Sequence, residues 1–158
     1  MSDGGQMLMH ATAIAFGRRA VLLRGESGTG KSDLALRLLT LEASSLVGLG
    51  ITADGPARLV SDDQVRLQRI GDEIIASAPE TIRGLIEVRG VGIVTVPTVT
   101  EAAVHLIVEL ISAEAVPRLP PDAATEDVLG IAIPVVGLHA FHASTPLKIA
   151  VALHRARS

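Results

Sequence analysis

At 158 residues, 48% of them apolar, the chain has the size of a single domain and enough apolar material for a substantial core, yet with two Phe, no Trp and no Tyr that core has to be built from Ala, Val, Leu and Ile, and an adenine base lacks an obvious stacking partner. Seventeen acidic against fourteen basic residues give a formal charge of −3, and the basic residues are scattered, which argues against nucleic acid as a partner; zero cysteines exclude disulfides and thiolate metal sites. No apolar stretch reaches membrane-spanning length and the N-terminus lacks a basic region followed by an apolar one, so no membrane association is expected and the cytoplasm is the expected compartment.

Met1 to Gln6 is short, polar and glycine-containing and reads as a frayed tail. From His10 to Arg24, two β-like runs flank Gly17-Arg18-Arg19 and predict a hairpin, so the sheet is expected to be mixed. The second run, Ala20-Val21-Leu22-Leu23-Arg24, feeds Gly25-Glu26-Ser27-Gly28-Thr29-Gly30-Lys31-Ser32, a complete G-x-x-x-x-G-K-S phosphate-binding loop, and Ser32 to Leu39 carries apolar residues at helical spacing. That helix is expected to end near Leu41 or Glu42, with Ala43 to Pro56 a long loop or partly ordered insertion. Arg58-Leu59-Val60-Ser61 reads as a strand ending at Asp62-Asp63, and Val65 to Gln68 with Glu73 to Ala76 as a hairpin around Gly71-Asp72. In Leu85 to Val96, Glu87-Val88-Arg89-Gly90-Val91-Gly92-Ile93 sets polar residues between apolar ones with two glycines, a pattern that suits a turn at a site. Ala102 to Ile111 is expected as a strand, with helix as the alternative; Pro117 to Asp127 as an acidic, proline-rich loop; Ile131 to Val136 as a strand; and Pro146 to Leu153 as a closing helix with proline in its first turn.

The phosphate loop implies binding of a nucleoside triphosphate. Its glycines let successive backbone N–H groups turn inward at the positive end of the helix dipole, Lys31 reaches the β and γ phosphates, and the Ser32 hydroxyl is placed for Mg²⁺, an ion that keeps part of its hydration and takes few protein ligands. Binding alone needs nothing more. Transfer needs a carboxylate to help hold the metal and a group to take the acceptor's proton, and Asp62-Asp63 at a strand end is the best candidate for both. Glu87 and Arg89, two apart, share a strand face and could instead form a simple ion pair.

His10, the loop Gly25 to Ser32, the strand end Leu59-Val60-Ser61-Asp62-Asp63 and the run Glu87 to Ile93 occur in the order seen in the HPr kinase/phosphorylase family, and the last of them looks like that family's signature. The resemblance covers that family's catalytic domain from His10 onward and implies one domain over residues 1–158, an α/β fold like that of phosphoenolpyruvate carboxykinase: a mixed sheet with flanking helices around the phosphate loop. By resemblance the chain is expected to be the short form found in some proteobacteria, without the separate N-terminal domain of long members. The implied activity is ATP- and Mg²⁺-dependent phosphorylation of a serine of HPr, a phosphocarrier of the sugar phosphotransferase system, and removal of that phosphate by inorganic phosphate with pyrophosphate as product. Carried over by position, Lys31 contacts phosphate, Ser32 and Glu87 with Asp63 make the metal side, Asp63 exchanges the proton, His10 is a further active-site histidine, and Arg89 brings charge near the phosphoryl group. The resemblance also implies a homo-oligomer, a hexamer.

The chain departs from the family late. Ala143-Ser144-Thr145 stands where members carry an arginine in a basic Gly-Arg-Asn run, which leaves Lys148 as the substitute cation, without a planar fork. The nearby His139, Phe141 and His142 either line the site or pack at a helix entry. The 43–56 insertion widens the separation of Lys31 from Asp62, and the helical extension that contacts HPr in long members is expected to be truncated. Two other functions fit parts of the pattern: a small-molecule kinase related to phosphoenolpyruvate carboxykinase, and a non-catalytic ATP-binding regulatory module.

Overall fold

A computed structural model describes residues 5–42, 44–52, 55–120 and 124–156. In chain order its strands are β1 Gln6–Met9, β2 Thr12–Phe16, β3 Arg19–Arg24, β4 Ala57–Ser61, β5 Val65–Ile70, β6 Glu73–Ser77, β7 Leu85–Val88, β8 Gly92–Thr95, β9 Glu101–Leu110, β10 Thr125–Val128 and β11 Ile131–Leu138. The helices are α1 Lys31–Leu39, α2 Ser44–Val47 and α3 Thr145–Arg155. The fold is a mixed α/β arrangement with few helices, as the sequence pattern implies.

One nine-stranded sheet runs β1-β5-β6-β9-β3-β2-β4, with β11 also on β9 and β10 on β11; β7 and β8 form a separate hairpin. The long strand β9 organises it. On one edge β9 pairs in parallel with β3; on the other it pairs antiparallel with β6 through Glu101–Ala103 and in parallel with β11 through Ile107–Leu110. Side chains alternate across the sheet, but two bulges shift the phase. His105 is the extra residue where Ala20 faces Val104 and Val21 faces Leu106, so Ala102, Val104 and Ile107 join one core while Leu106, Val108 and Leu110 join the other. Val60 is the extra residue where Ala13 faces Ser61 and Ile14 faces Leu59, two residues before Asp62.

The helical face buries Ile14, Val21, Leu23, Leu59, Leu106 and Val108 against Leu34 and Leu38 of α1 and Ile149 and Leu153 of α3. The opposite face gathers Ala11, Ala13, Ala15, Ala20 and Leu22 with Val65, Leu67, Ile74 and Ala76 from β5 and β6 and Val128 and Ile133 from β10 and β11. β2 and β5, far apart in sheet order, meet in this core because the sheet curls, and small alanines fill much of it.

Several expectations change. Gln6 belongs to β1, paired with Gln68 of β5, and the carbonyl of Gly5 accepts from Arg69 N–H at 3.1 Å; only residues 1–4 of the expected tail lie outside the described residues. α1 stops at Leu39, two or three residues early, because Thr40 adopts a non-helical cap and turns its hydroxyl onto the carbonyls of Leu36 and Arg37. Within the 43–56 insertion, apart from residues 43, 53 and 54, which are not described, α2 forms and buries Leu46 and Ile51 against Ala150. Thr125, Glu126 and Asp127, read as the end of a loop, are strand β10, drawn onto β11 by the Leu129-Gly130 turn.

Glu126 shows what fixes β10. The Arg24 guanidinium at the end of β3 donates to both Glu126 carboxylate oxygens, at 2.6 and 2.7 Å, and to Glu109 of β9 at 2.8 Å. That fork holds the Glu126 carboxyl below its ordinary value of 4.5 and raises Arg24. A depressed carboxyl pKa contributes stability above the unfolded value and loses it as pH falls through the folded one. Glu126→Gln is therefore expected to melt below wild type at pH 7, by less than about 1 kcal/mol because the pair is partly solvated, and the gap should close as the pH is taken below about 4. Thermal melts of the two proteins across that range test it; a gap that persists in acid removes the ion pair as the cause.

Candidate active site

The phosphate loop joins β3 to α1. Gly28 and Gly30 have φ of +84° and +97°, values that favour glycine, and they carry the chain round so that α1 begins at Lys31. Lys31 is 7% exposed, and its ammonium donates to the carbonyls of Gly25 at 2.7 Å and Glu26 at 3.2 Å. Thr29 closes the turn, its N–H and hydroxyl both donating to the Glu26 carbonyl at 3.1 and 2.7 Å.

Asp62 joins three elements at this loop. One carboxylate oxygen accepts from the Ser32 hydroxyl at 3.3 Å and from the Thr12 hydroxyl at 3.0 Å; the other accepts from the backbone N–H of Glu87 at 3.1 Å. Asp62 is 8% exposed, so these donors replace the water a buried carboxylate would otherwise need. Thr12 also fixes its neighbour, since its hydroxyl oxygen accepts from Asp63 N–H at 3.1 Å, and Ala11 N–H donates to the Asp63 carbonyl at 3.1 Å. Asp63 is thereby held at φ +67°, a left-handed conformation that Asp and Asn tolerate better than most residues, and its carboxylate turns out to the surface, 2.7 Å from His10 Nε2. The two adjacent acids thus point to different tasks. Asp62 is the one beside Ser32, whereas Asp63, which the family resemblance implies as both metal ligand and base, faces His10.

A cavity of about 860 Å³ collects these residues: Ser27, Gly28, Gly30, Lys31 and Ser32 from the loop, Asp62 and Asp63 from the strand end, and Glu87 through Gly92 from the β7–β8 hairpin. No ion pair joins Glu87 to Arg89 among the described residues; both residues line the cavity. Gly25, Glu26 and Thr29 act from behind the loop through the contacts above. Lys148, on the exposed side of α3, does not line the cavity. Sequence reasoning missed Thr12, whose buried hydroxyl between two alanines gave no signal before its register against β4 was known. It also missed Asp33 and Leu36, which line the cavity from the first two turns of α1.

The description "HPr Serine kinase C-terminal domain" matches residues 5–150 of the chain. The chain belongs to this family. It is 36% identical over 137 residues to an HPr kinase/phosphorylase of Acidovorax sp. strain JS42, covering 79% of this chain and 39% of that protein, and 40% identical over 94 residues to one from Caldanaerobacter subterraneus subsp. tengcongensis, covering 59% and 26%. The chain thus spans about two fifths or less of these relatives' length. The solved structure of the Hpr(Ser) kinase/phosphatase from Coxiella burnetii superposes with a TM-score of 0.73 at 30% identity, covering 94% of this chain and 96% of that one. Phosphate loop, Asp62-Asp63 turn and β7–β8 hairpin all lie inside the matched segment. Among the described residues no helix is long and apolar enough to cross a membrane.

Proposed function

We propose that the chain is an ATP-dependent serine kinase acting on HPr or an HPr-like phosphocarrier in the cytoplasm, and that it removes the same phosphate by phosphorolysis. The observation that carries this reading is the shared cavity in which Asp62 bonds the loop serine while Asp63 turns outward against His10: a binding module has no need of a second, outward carboxylate fixed in a left-handed turn. The loop amides and Lys31 bind the triphosphate. Ser32 and Asp62, a hydroxyl and a buried carboxylate in contact, suit the loop-serine and strand-end acid pair that holds Mg²⁺ in phosphate-loop enzymes, with Glu87 within the same cavity. The metal supplies charge neutralisation at the phosphates when bound.

Asp63 accepts the proton of the acceptor serine hydroxyl as its oxygen bonds the γ-phosphorus and the bond to the β–γ bridging oxygen breaks, releasing ADP. His10, bonded to the same carboxylate, orients it. In reverse, inorganic phosphate attacks the phosphoserine phosphorus, Asp63 returns the proton to the serine oxygen, and pyrophosphate leaves. Arg89 offers its charge to the phosphoryl oxygens from the hairpin. Hexameric assembly belongs to the same proposal.

The test is label transfer. Purified protein is incubated with γ-labelled ATP, Mg²⁺ and HPr from the same cell, then chased with inorganic phosphate. Label on a serine that leaves as pyrophosphate is the expected result. Hydrolysis without transfer, or transfer to a small acid or sugar, overturns it.

A further inference from the structure

Of the two aromatic side chains, Phe16 is buried in the helical-face core, whereas Phe141 is 58% exposed and lines the cavity beside Gly30, Asp33 and Leu36. Its ring lies against the phosphate loop: a Cβ placed on Gly30 would sit 2.7 Å from Cζ and 3.1 Å from Cε1. The backbone that carries it is firmly held. His139 Nδ1–H donates to the Ile111 carbonyl at 3.0 Å, the Thr145 hydroxyl donates to the His139 carbonyl, and the Arg37 guanidinium donates to the carbonyls of Ala140 and His142 while also pairing with Asp33. The His139 ring meets Phe141 edge on, centroids 5.9 Å apart at 71°, which fixes the ring's direction as well as its position.

A large apolar ring kept in water on so well-anchored a segment gains nothing for the fold, and it lines the phosphate-loop cavity beside Gly30, together with the apolar Leu36. We propose that Phe141 is the stacking platform for the nucleobase of the phosphoryl donor. The inference rests on the nucleotide reading above and extends it to a residue that sequence patterning left between site and helix packing. Stacking answers the composition's apparent lack of an aromatic partner for adenine: one exposed ring, placed on the loop, is enough. Because every base has a π-face, the platform adds affinity for a base without selecting one by hydrogen bonds.

The experiment compares MgATP with magnesium tripolyphosphate, which has the phosphates and no base, by calorimetric titration of wild type, Phe141→Ala and Phe141→Trp. Phe141→Ala is expected to weaken ATP about tenfold and leave tripolyphosphate unchanged, and Phe141→Trp to restore ATP binding. Equal weakening of both ligands would overturn the platform in favour of a packing role on the loop, as would an unchanged ATP affinity in Phe141→Ala. Wild type that binds tripolyphosphate as tightly as ATP would also overturn it and leave the phosphate loop standing, whereas wild type that binds neither would overturn it together with the nucleotide reading. Thermal melts within a few degrees of wild type are expected for both variants, since so exposed a ring contributes little to the core.

Discussion

Asp63→Asn should lower the rate of serine phosphorylation by about three orders of magnitude and leave ATP affinity as in wild type. The size follows from what a positioned general base contributes, roughly 10²- to 10⁴-fold. The separation of binding from transfer follows from geometry: Asp63 makes no hydrogen bond to the phosphate loop, its carboxylate is turned to His10, and the loop is braced by Asp62 instead. Asparagine is the informative substitution. It keeps the shape of the side chain, can still bond His10, and tolerates φ near +67°, whereas alanine at that angle adds backbone strain to the loss of the base. Rapid-quench measurement of phosphoserine formation beside calorimetric titration with MgATP reads both quantities. A parallel loss of ATP binding would remove Asp63 from the role of base.

Lys31→Ala should weaken ATP binding by about a hundredfold and depress transfer at saturating ATP as well. The ammonium is almost wholly buried and its observed partners are two neutral carbonyls, so a bound triphosphate would give it the oppositely charged partner it lacks. Charge-assisted hydrogen bonds of this kind contribute roughly 1.5–3 kcal/mol, or about ten- to a hundredfold and more in affinity. Charge that grows on the phosphoryl oxygens during transfer adds a further loss in rate. The same two assays measure it, with circular dichroism to show that the loop's loss has not unfolded the sheet; an unchanged ATP affinity would mean that the lysine serves only to hold the loop's own carbonyls.

The parts of the site that follow one another in the chain were legible in the sequence. The phosphate loop is eight consecutive residues whose chemistry is local, preceded by an apolar run of strand length and followed by apolar residues at helical spacing, so it emerges complete from position alone. The Asp62-Asp63 strand end and the Glu87–Ile93 turn were legible for the same reason. What the sequence did not disclose is how the two acids divide, because that depends on the β2–β4 register: Val60 is bulged out just before them, and Thr12 on the neighbouring strand holds one carboxylate in and the next amide up. A one-residue slip would exchange them. Strand β10 was hidden because Thr125 to Asp127 have the composition of a loop and are made a strand by Arg24, a hundred residues earlier. Phe141 was visible as a residue but not as a place, since its position over Gly30 comes from Arg37 and Ile111 holding the preceding backbone. Lys148 illustrates the opposite failing: nearness in sequence to the missing arginine suggested a substitute, and the helix turns it to solvent.

The position of β9 sets the order in which this protein can assemble. β3, which carries the phosphate loop, has the early strand β2 on one edge but finds its other neighbour only in residues 103–109, more than eighty positions later, and β6 and β11 both depend on that same strand. During synthesis the first hundred residues therefore leave one edge of β3 open, and Lys31 leaves the ribosome long before the strand that steadies its loop. The strand that steadies the loop is complete only after Leu110 has emerged, so a nascent or prematurely ended product stopping short of it has the complete glycine motif on a strand with one edge unpaired.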